Sequence, residues 1–237
     1  MLYARATHAE HRSARATFRG AGVIARVALV ATLLATSACS SSSRTALDTM
    51  KLVGNRWKSP VRVEKLDSVP YPVMQVEGAG YRGALVMTVI DGSRQAWYGG
   101  QGELMLLRDG LVVGTHGMTE ANVDEIRIEG DNPFVRLASL GGEQATVTRR
   151  YDWRDGYRYG VVVEGRLQQR GKERVEILGT ERDLLHFEES LSGPGVRGSN
   201  HYWADPETGF IWKSRQLVAS GTWVELVQLK PDQEARK

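Results

Sequence analysis

The sequence predicts a mainly β protein, in which a curved, largely antiparallel sheet forms a half-barrel or pseudo-barrel with one or two short helices. Short runs of alternating apolar and polar residues follow one another from residue 61 onward. Turn signals made of Gly, Asp and Pro separate these runs at short intervals, and almost none of the chain has a helical pattern. An open sheet of about ten or more strands tends to curl into a barrel, and a two-sheet sandwich is the alternative.

The first half of the predicted domain contains one helix and a series of strands. Residues 45–53 have apolar positions three and four apart, which predicts a short helix that ends at Gly54. Strands are predicted at residues 61–66, 73–77, 84–90, 94–98, 103–107 and 111–115. The last two form a hairpin, because Asp109-Gly110 favours the positive φ values of a type I′ turn. Residues 119–128 are predicted as a short helix or an irregular crossover.

The second half is predicted as a long hairpin, two further strands and a C-terminal meander. Residues 144–153 and 157–167 pair across Asp155-Gly156. Strands at residues 173–178 and 184–189 follow Arg170-Gly171, and the Gly-rich residues 192–198 are predicted as a mobile loop. The meander occupies residues 200–231 and turns at residues 205–209 and at Ser220-Gly221.

The first turn of the meander is the most specific local signal. Asp205 supplies an Asx side chain, Pro206 fixes φ near −65°, and Gly209 accepts a positive φ. Beyond this turn, the alternation of a strand predicts two faces. One face carries Phe210, Trp212, Ser214, Gln216 and Val218, and the other carries Ile211, Lys213, Arg215 and Leu217.

Residues 1–38 are predicted to be a secretory signal. They contain five Arg and one acidic residue, followed by a short apolar run and by small residues before Cys39. The run is too short for a permanent transmembrane helix, which needs about 20 residues. Without this segment, 26 basic and 27 acidic side chains remain, a net charge of −1. The charge therefore gives no support for nucleic-acid binding.

Cys39 is the single cysteine of the chain, so it cannot form an internal disulfide. Its position directly after the signal segment resembles that of the lipobox cysteine of bacterial lipoproteins. This resemblance implies a lipid on Cys39 that attaches the protein to a membrane. Ser40 in place of an Asp implies sorting to the outer membrane. Residues 39–45 are then a lipidated tether, and residues 46–237 a single β-rich domain.

Motifs for nucleotides and metals are weak. Residues 78–83 match G-x-G-x-x-G, but an apolar strand follows in place of the helix that a dinucleotide needs. A turn is therefore predicted there. His116, His186 and His201 lie far apart in the sequence, and zinc needs three or four converging ligands, so no metal site is predicted.

The candidate catalytic residues have structural explanations. Ser214 lies on a predicted strand and not on a nucleophile elbow. Asp205 and Glu207 occupy a turn, whose geometry already explains Asp205, so they do not indicate a glycosidase pair. The sequence accordingly predicts no enzyme activity and no cofactor.

Tryptophans on three successive strands are the candidate binding residues. If Trp203, Trp212 and Trp223 share one face of the sheet, they form either a core layer or a stacking platform for sugar rings. Arg215 lies on the same strand as Trp212. For the tryptophans core packing is the simpler interpretation, and for Arg215, on the opposite side from Trp212, it is a solvated sheet face. A glycan or partner contact at these four residues is the functional interpretation.

Three segments carry a family resemblance. They are residues 200–216 with the closing Leu229-Lys230-Pro231, the corner Pro70-Tyr71-Pro72, and Trp97 followed by residues 107–118. Together they cover most of the chain after Cys39, and they resemble the YjbF/GfcB family of lipoproteins.

Resemblance to this family implies an outer-membrane lipoprotein that faces the periplasm and serves exopolysaccharide or group 4 capsule production and export. It implies a curved sheet closing toward a barrel and no known catalytic residues. The implied partners are secretion proteins, including an outer-membrane β-barrel and a periplasmic protein, with the polysaccharide as a further candidate. Two alternatives stay open: a carrier that holds an acyl chain in the half-barrel, and a glycan-active enzyme.

Overall fold

The computed structural model describes residues 66–232 apart from Asp67, all within one compact unit, Ala46–Lys237. Several predicted features lie outside the described residues. These are the signal segment, Cys39 and its tether, the helix at residues 45–53 and most of the strand at residues 61–66. The predictions made for them stay predictions.

Twelve antiparallel strands make up most of the described chain. They are β1 Val73–Gly78, β2 Tyr81–Asp91, β3 Arg94–Tyr98, β4 Leu104–Arg108, β5 Leu111–His116, β6 Glu125–Glu129, β7 Ala145–Trp153, β8 Arg158–Ile177, β9 Thr180–Gly193, β10 Val196–Ala204, β11 Ile211–Ala219 and β12 Thr222–Lys230. The 3-10 helix Pro133–Arg136 and the one-turn helix α1, Leu137–Leu140, connect β6 to β7.

All twelve strands belong to one sheet, which is nearly closed into a barrel. The strand order is β5-β4-β3-β2-β1-β12-β11-β10-β9-β8-β7-β6. At the seam between the two end strands, the Thr115 amide donates to the Val123 carbonyl (2.9 Å), and the Val123 amide donates to Thr115 Oγ1 (3.0 Å). The predicted fold class is therefore confirmed, and the sandwich alternative is wrong.

Side chains fill the interior of the barrel in two apolar clusters. The first contains Met74, Leu85, Trp97, Met105 and Tyr151 among others. The second contains Phe134, Leu137, Leu167, Phe187 and Tyr202 among others. Since Phe134 and Leu137 belong to the two short helices, these helices cover one end of the barrel. The Asn132 side chain begins the first of them by accepting a hydrogen bond from the Phe134 amide (3.2 Å).

Two turns whose conformation depends mainly on their own residues agree with the sequence prediction. Asp109 and Gly110 have φ values of 52° and 76°, as a type I′ turn requires. Asp205 Oδ1 accepts from the amides of Glu207 and Thr208, both at 3.0 Å, and Gly209 has a φ of 76°. Although partial burial opposes the charged form, these amides hold the pKa of Asp205 below its ordinary value. The predicted Asx turn is confirmed.

Two predicted connections are wrong, and a third is right in part. Residues 119–124 are irregular, as one of the two alternatives predicted. Residues 125–128 belong to the strand β6 and not to a helix, because the Ile126 side chain alternates into the core and β6 pairs with β7. Residues 192–198 form a tight hairpin turn and not a mobile loop, with Val196 only 2% exposed. Arg170-Gly171 does not end a strand but forms a bulge inside β8, which runs on to Ile177.

The predicted alternation along β11 fails at two bulges. The pairing of β11 with β10 shifts opposite Trp203 and Ala204, so that Ile211 and Trp212, which are consecutive, both become buried. Ile211 packs inside the barrel, whereas Trp212 joins a separate cluster with Ile177 and Leu184. A second shift lies between Leu217 and Ala219. Between the bulges, Ser214 and Gln216 are buried and Arg215 is exposed, so they lie on opposite faces as predicted.

Candidate functional site

The outer face of β9, β10, β11 and β12 carries two of the predicted site residues in cross-strand rows. Trp203 lies between His186 on β9 and Lys213 on β11. His201, two residues before Trp203 on β10, lies between Glu188 and Arg215. Side chains on this face therefore form a continuous band of rings, acids and bases.

Trp203 has neighbours on both sides of its ring. The His186 ring stacks on it at a centroid distance of 4.9 Å and an interplanar angle of 6°. The Lys213 ammonium lies 5.1 Å from the ring centroid on the other neighbouring strand. The indole Nε1 donates to Glu173 Oε2 (2.7 Å). Trp203 is thus held as part of the band.

Trp212 and Trp223 each lie under a guanidinium group. Arg182 is 3.8 Å from the Trp212 ring centroid, and Trp212 is 3% exposed. Arg215 is 4.7 Å from the ring of Trp223, whose Nε1 donates to the Ser199 carbonyl (3.1 Å). Trp212 and Trp203 pack against one cluster and Trp223 against another. The three rings do not form one open platform, and a glycan or partner contact at Trp203, Trp212, Trp223 and Arg215 stays a prediction.

Two of the three histidines in residues 66–232, His186 and His201, are in contact. His186 Nε2 lies 3.0 Å from His201 Nδ1, and His186 Nδ1 lies 2.6 Å from Glu173 Oε1. Burial and the neighbouring His186 lower the pKa of His201 below its ordinary value. His116 belongs to the end of β5, away from this pair. Residues 66–232 contain no group of three metal-ligating side chains placed to hold an ion.

A buried ion pair inside the barrel is the main polar feature that the sequence analysis missed. Arg149 Nε donates to Glu189 Oε1 (2.7 Å) and Arg149 Nη2 to Glu189 Oε2 (2.9 Å). Both side chains are at most 2% exposed. Although burial opposes the charged form, the Glu189 carboxylate holds the pKa of Arg149 above its ordinary value. The two groups therefore face each other as a charged, bidentate pair.

Polar neighbours complete this network. The Tyr202 hydroxyl donates to Glu189 Oε2 (2.9 Å) and accepts from Arg149 Nη2 (3.1 Å). Asn200 Nδ2 donates to the same carboxylate oxygen (3.0 Å), and its Oδ1 accepts from the Leu217 amide (2.7 Å). The network ties together β7, β9, β10 and β11. One signal was available in the sequence. Arg149 and Glu189 occupy inward-facing positions of strands whose other inward-facing side chains are mostly apolar.

A pocket of about 290 Å³ opens at the barrel end that the two short helices cover. We call it the mouth pocket. Its lining includes residues of the β2–β3 turn, the β4–β5 turn, the first short helix, the 205–209 turn with Phe210, and the end of β12. Gly110 of the β4–β5 turn lies close to the start of β11, because a Cβ there would lie 3.0 Å from Ile211 Cδ1. The sequence predicted the turns but not their convergence.

Helices contribute little to the described part of the chain. Between residues 66 and 232, none is long and apolar enough to cross a membrane. The strands and the interior network together define the class: an all-antiparallel, twelve-stranded, barrel-like β domain whose interior is packed with side chains.

Comparison with known proteins gives the family. Residues 49–229 match the family model described as "Group 4 capsule polysaccharide lipoprotein gfcB, YjbF". The chain belongs to this family, as the resemblance predicted. It is 24% identical over 200 residues to the uncharacterized lipoprotein GfcB of Escherichia coli (strain K12), a match that covers 81% of this chain and 92% of GfcB.

A solved structure shows the same fold. The crystal structure of the hypothetical lipoprotein YmcC from Escherichia coli (K12) superposes with a TM-score of 0.64 at 20% sequence identity. The match covers 81% of this chain and 95% of YmcC. The barrel-like sheet is therefore shared by proteins that have diverged in most of their residues.

Proposed function

We propose that the protein is a lipid-anchored accessory of exopolysaccharide or group 4 capsule production and export, held at the outer membrane by Cys39 with its domain facing the periplasm. The observation that carries this proposal is the family match over residues 49–229, whose description names a capsule polysaccharide lipoprotein. The N-terminal sequence supports the anchor, because Cys39 follows a basic and then an apolar segment. The proposed partners are an outer-membrane β-barrel and a periplasmic protein of the same secretion system.

The packed interior favours an accessory over an acyl-chain carrier. A carrier needs an apolar cavity, whereas here large side chains and the Arg149–Glu189 pair occupy the space inside the sheet. The family description names a lipoprotein and no reaction. We therefore propose a role in binding or assembly and no catalytic step.

Deletion of the gene is expected to reduce the amount of surface polysaccharide or change its length distribution. Extracted surface polysaccharide is measured by sugar analysis and gel electrophoresis under conditions that induce its production. Complementation with the wild-type gene is the control and should restore the parental pattern. A deletion strain with the parental amount and pattern would remove the basis for the proposed function.

Replacement of Cys39 is expected to abolish lipid labelling. Cells that are fed a radioactive or clickable fatty acid should label the wild-type protein but not Cys39→Ala, because the thiol carries the proposed thioether. Ser40→Ala is the matched control, and it should be labelled as the wild type is. Equal labelling of the wild type and Cys39→Ala would refute the anchor while leaving the fold unaffected.

A further inference from the structure

Apolar side chains project from the end of the barrel that holds the mouth pocket. The β2–β3 hairpin extends beyond its neighbour β1, because β1 pairs with β2 only as far as Val86. Near its tip, Val89 and Ile90 are 54% and 47% exposed. Val135, on the short helix Pro133–Arg136, is 65% exposed. Water therefore contacts three branched apolar side chains on two projecting elements of one barrel end.

The two projecting elements are neighbours. The turn of the hairpin, Gly92-Ser93, lines the same pocket as Val135. Tyr71, which is partly exposed, lies beside the base of the hairpin, because the Met87 amide donates to the carbonyl of Pro72 (3.1 Å). Tyrosine is a residue type that suits a membrane interface, since its ring is apolar and its hydroxyl is polar. We call the following residues the apolar rim: Tyr71, Val89, Ile90 and Val135.

The chain that leads back to Cys39 leaves the domain at the same end. Leu66, the first described residue, packs with Val73 at the start of β1. The Val69 amide donates to the Leu66 carbonyl (3.1 Å), and the Val69 carbonyl accepts from Lys230 Nζ (2.6 Å) at the end of β12. A tether that begins at this end lets the apolar rim reach a bilayer without turning the domain over.

Charges beside the rim have both signs. On the hairpin, Asp91 and Arg94 are cross-strand partners. Beside the short helix, Arg136 Nη1 donates to Asp131 Oδ1 (2.8 Å). Attraction to anionic lipids needs a cluster of basic side chains, and these two elements pair each base with an acid. The surface that fits is therefore zwitterionic phospholipid, which the rim contacts by burying its apolar side chains.

We propose that the apolar rim contacts the surface of a phospholipid bilayer, with Val89, Ile90 and Val135 among the lipid headgroups. The mouth-pocket end then faces the membrane, and the opposite end of the barrel points away from it. The inference rests on the proposed function, because a lipid on Cys39 holds the domain near the bilayer and makes a weak contact effective.

Fluorescence of a probe on the rim tests this proposal in the full, lipidated chain. The environment-sensitive dye NBD is attached to one added cysteine, Ile90→Cys or Val135→Cys, because the lipid blocks the thiol of Cys39. The proteins are inserted into vesicles of phosphatidylcholine and phosphatidylethanolamine, with or without nitroxide-labelled lipid. Both probes should shift their emission to shorter wavelength and lose emission to the nitroxide. High salt should reverse neither effect, since the contact is apolar.

The matched control is a valine at the opposite end of the barrel. Val162 is exposed on β8, near the β7–β8 turn. A probe at Val162→Cys should keep the emission of a dye in water and should not respond to the nitroxide.

A charged variant tests whether the rim itself makes the contact. The double variant Val89→Glu/Ile90→Glu places two carboxylates at the hairpin tip, and carboxylates resist transfer out of water. With the probe at Val135→Cys, this variant should reverse the blue shift and the loss of emission. Val162→Glu is the control and should leave both unchanged. Circular dichroism melting first confirms that each variant is folded.

The outcomes separate this proposal from the proposed function. Rim probes that stay in water in a chain whose Cys39 thiol is blocked would overturn the rim assignment and leave the anchor standing. A blue shift that nitroxide-labelled lipid does not quench would show that protein covers the rim, which overturns the assignment as well. A wild-type chain whose Cys39 reacts with the dye would overturn the anchor, and with it the rim assignment that depends on it.

Discussion

Glu189→Leu is expected to lower the free energy of unfolding by about 3–5 kcal/mol, because it leaves a guanidinium buried without its counter-charge. Arg149 is 2% exposed, so its guanidinium has little contact with water. Its Nε and one of its Nη2 hydrogen bonds end on the lost carboxylate. The Tyr202 hydroxyl and the Asn200 amide would lose an acceptor as well. Urea denaturation followed by tryptophan fluorescence measures the change in the unfolding midpoint.

The double variant Arg149→Met/Glu189→Leu is the matched control. Replacing both partners of a buried ion pair by apolar groups of similar volume is often neutral or stabilising, so the double variant should recover the part of the loss that the unpaired guanidinium causes. If the single variant cost no more than the roughly 1 kcal/mol typical of a surface pair, the network would not stabilise the barrel. The comparison thus separates the penalty of an unpaired charge from the value of the pair.

Turns were predictable from the sequence because each depends on the conformations of its own residues. Asp109-Gly110 and the Asx turn at Asp205 need no information from the rest of the chain, since positive φ and a short polar side chain are local properties. Strand β3 matches its predicted bounds for the same reason, because its alternation continues without interruption between two turn signals.

Bulges and strand extensions were not predictable, because they depend on the neighbouring strand. Gly171 was interpreted as a break, yet β9 continues to pair with β8 beyond it, and the glycine absorbs the extra residue of a bulge at a φ of 139°. Trp212 was assigned to the same face as Ser214, but the shifted pairing with β10 moves it into another cluster. The hydrophobic period of a single strand does not contain this information.

The candidate sites show the same division between local and long-range information. Sequence alone indicated that Trp203, Trp212 and Trp223 lie on successive strands, and it did not indicate the cations that lie over their rings. The mouth pocket arises where connections from distant parts of the chain meet, so no single segment carries its pattern.

Gly78→Ala is expected to lower the free energy of unfolding by about 2–5 kcal/mol, the sum of backbone strain and overpacking. Gly78 has a φ of 122°, a conformation that residues with a Cβ rarely adopt. A Cβ built there would lie 2.2 Å from the Trp223 carbonyl oxygen, which is backbone and cannot rotate away. Gly78 pairs with Val224 at the end of β1, and β1 joins the two halves of the sheet through β12.

Gly92→Ala is the control that separates the two causes. Gly92 also has a positive φ, 57°, but a Cβ there would meet nothing within 4 Å. This variant should therefore lose only the roughly 1–2 kcal/mol of a left-handed residue, and the additional loss in Gly78→Ala measures the collision with β12. Equal losses in the two variants would contradict the steric explanation. The first glycine of the G-x-G-x-x-G match is thus required because β12 approaches it closely. The sequence resembles a nucleotide-binding motif, but the reason for this glycine is structural.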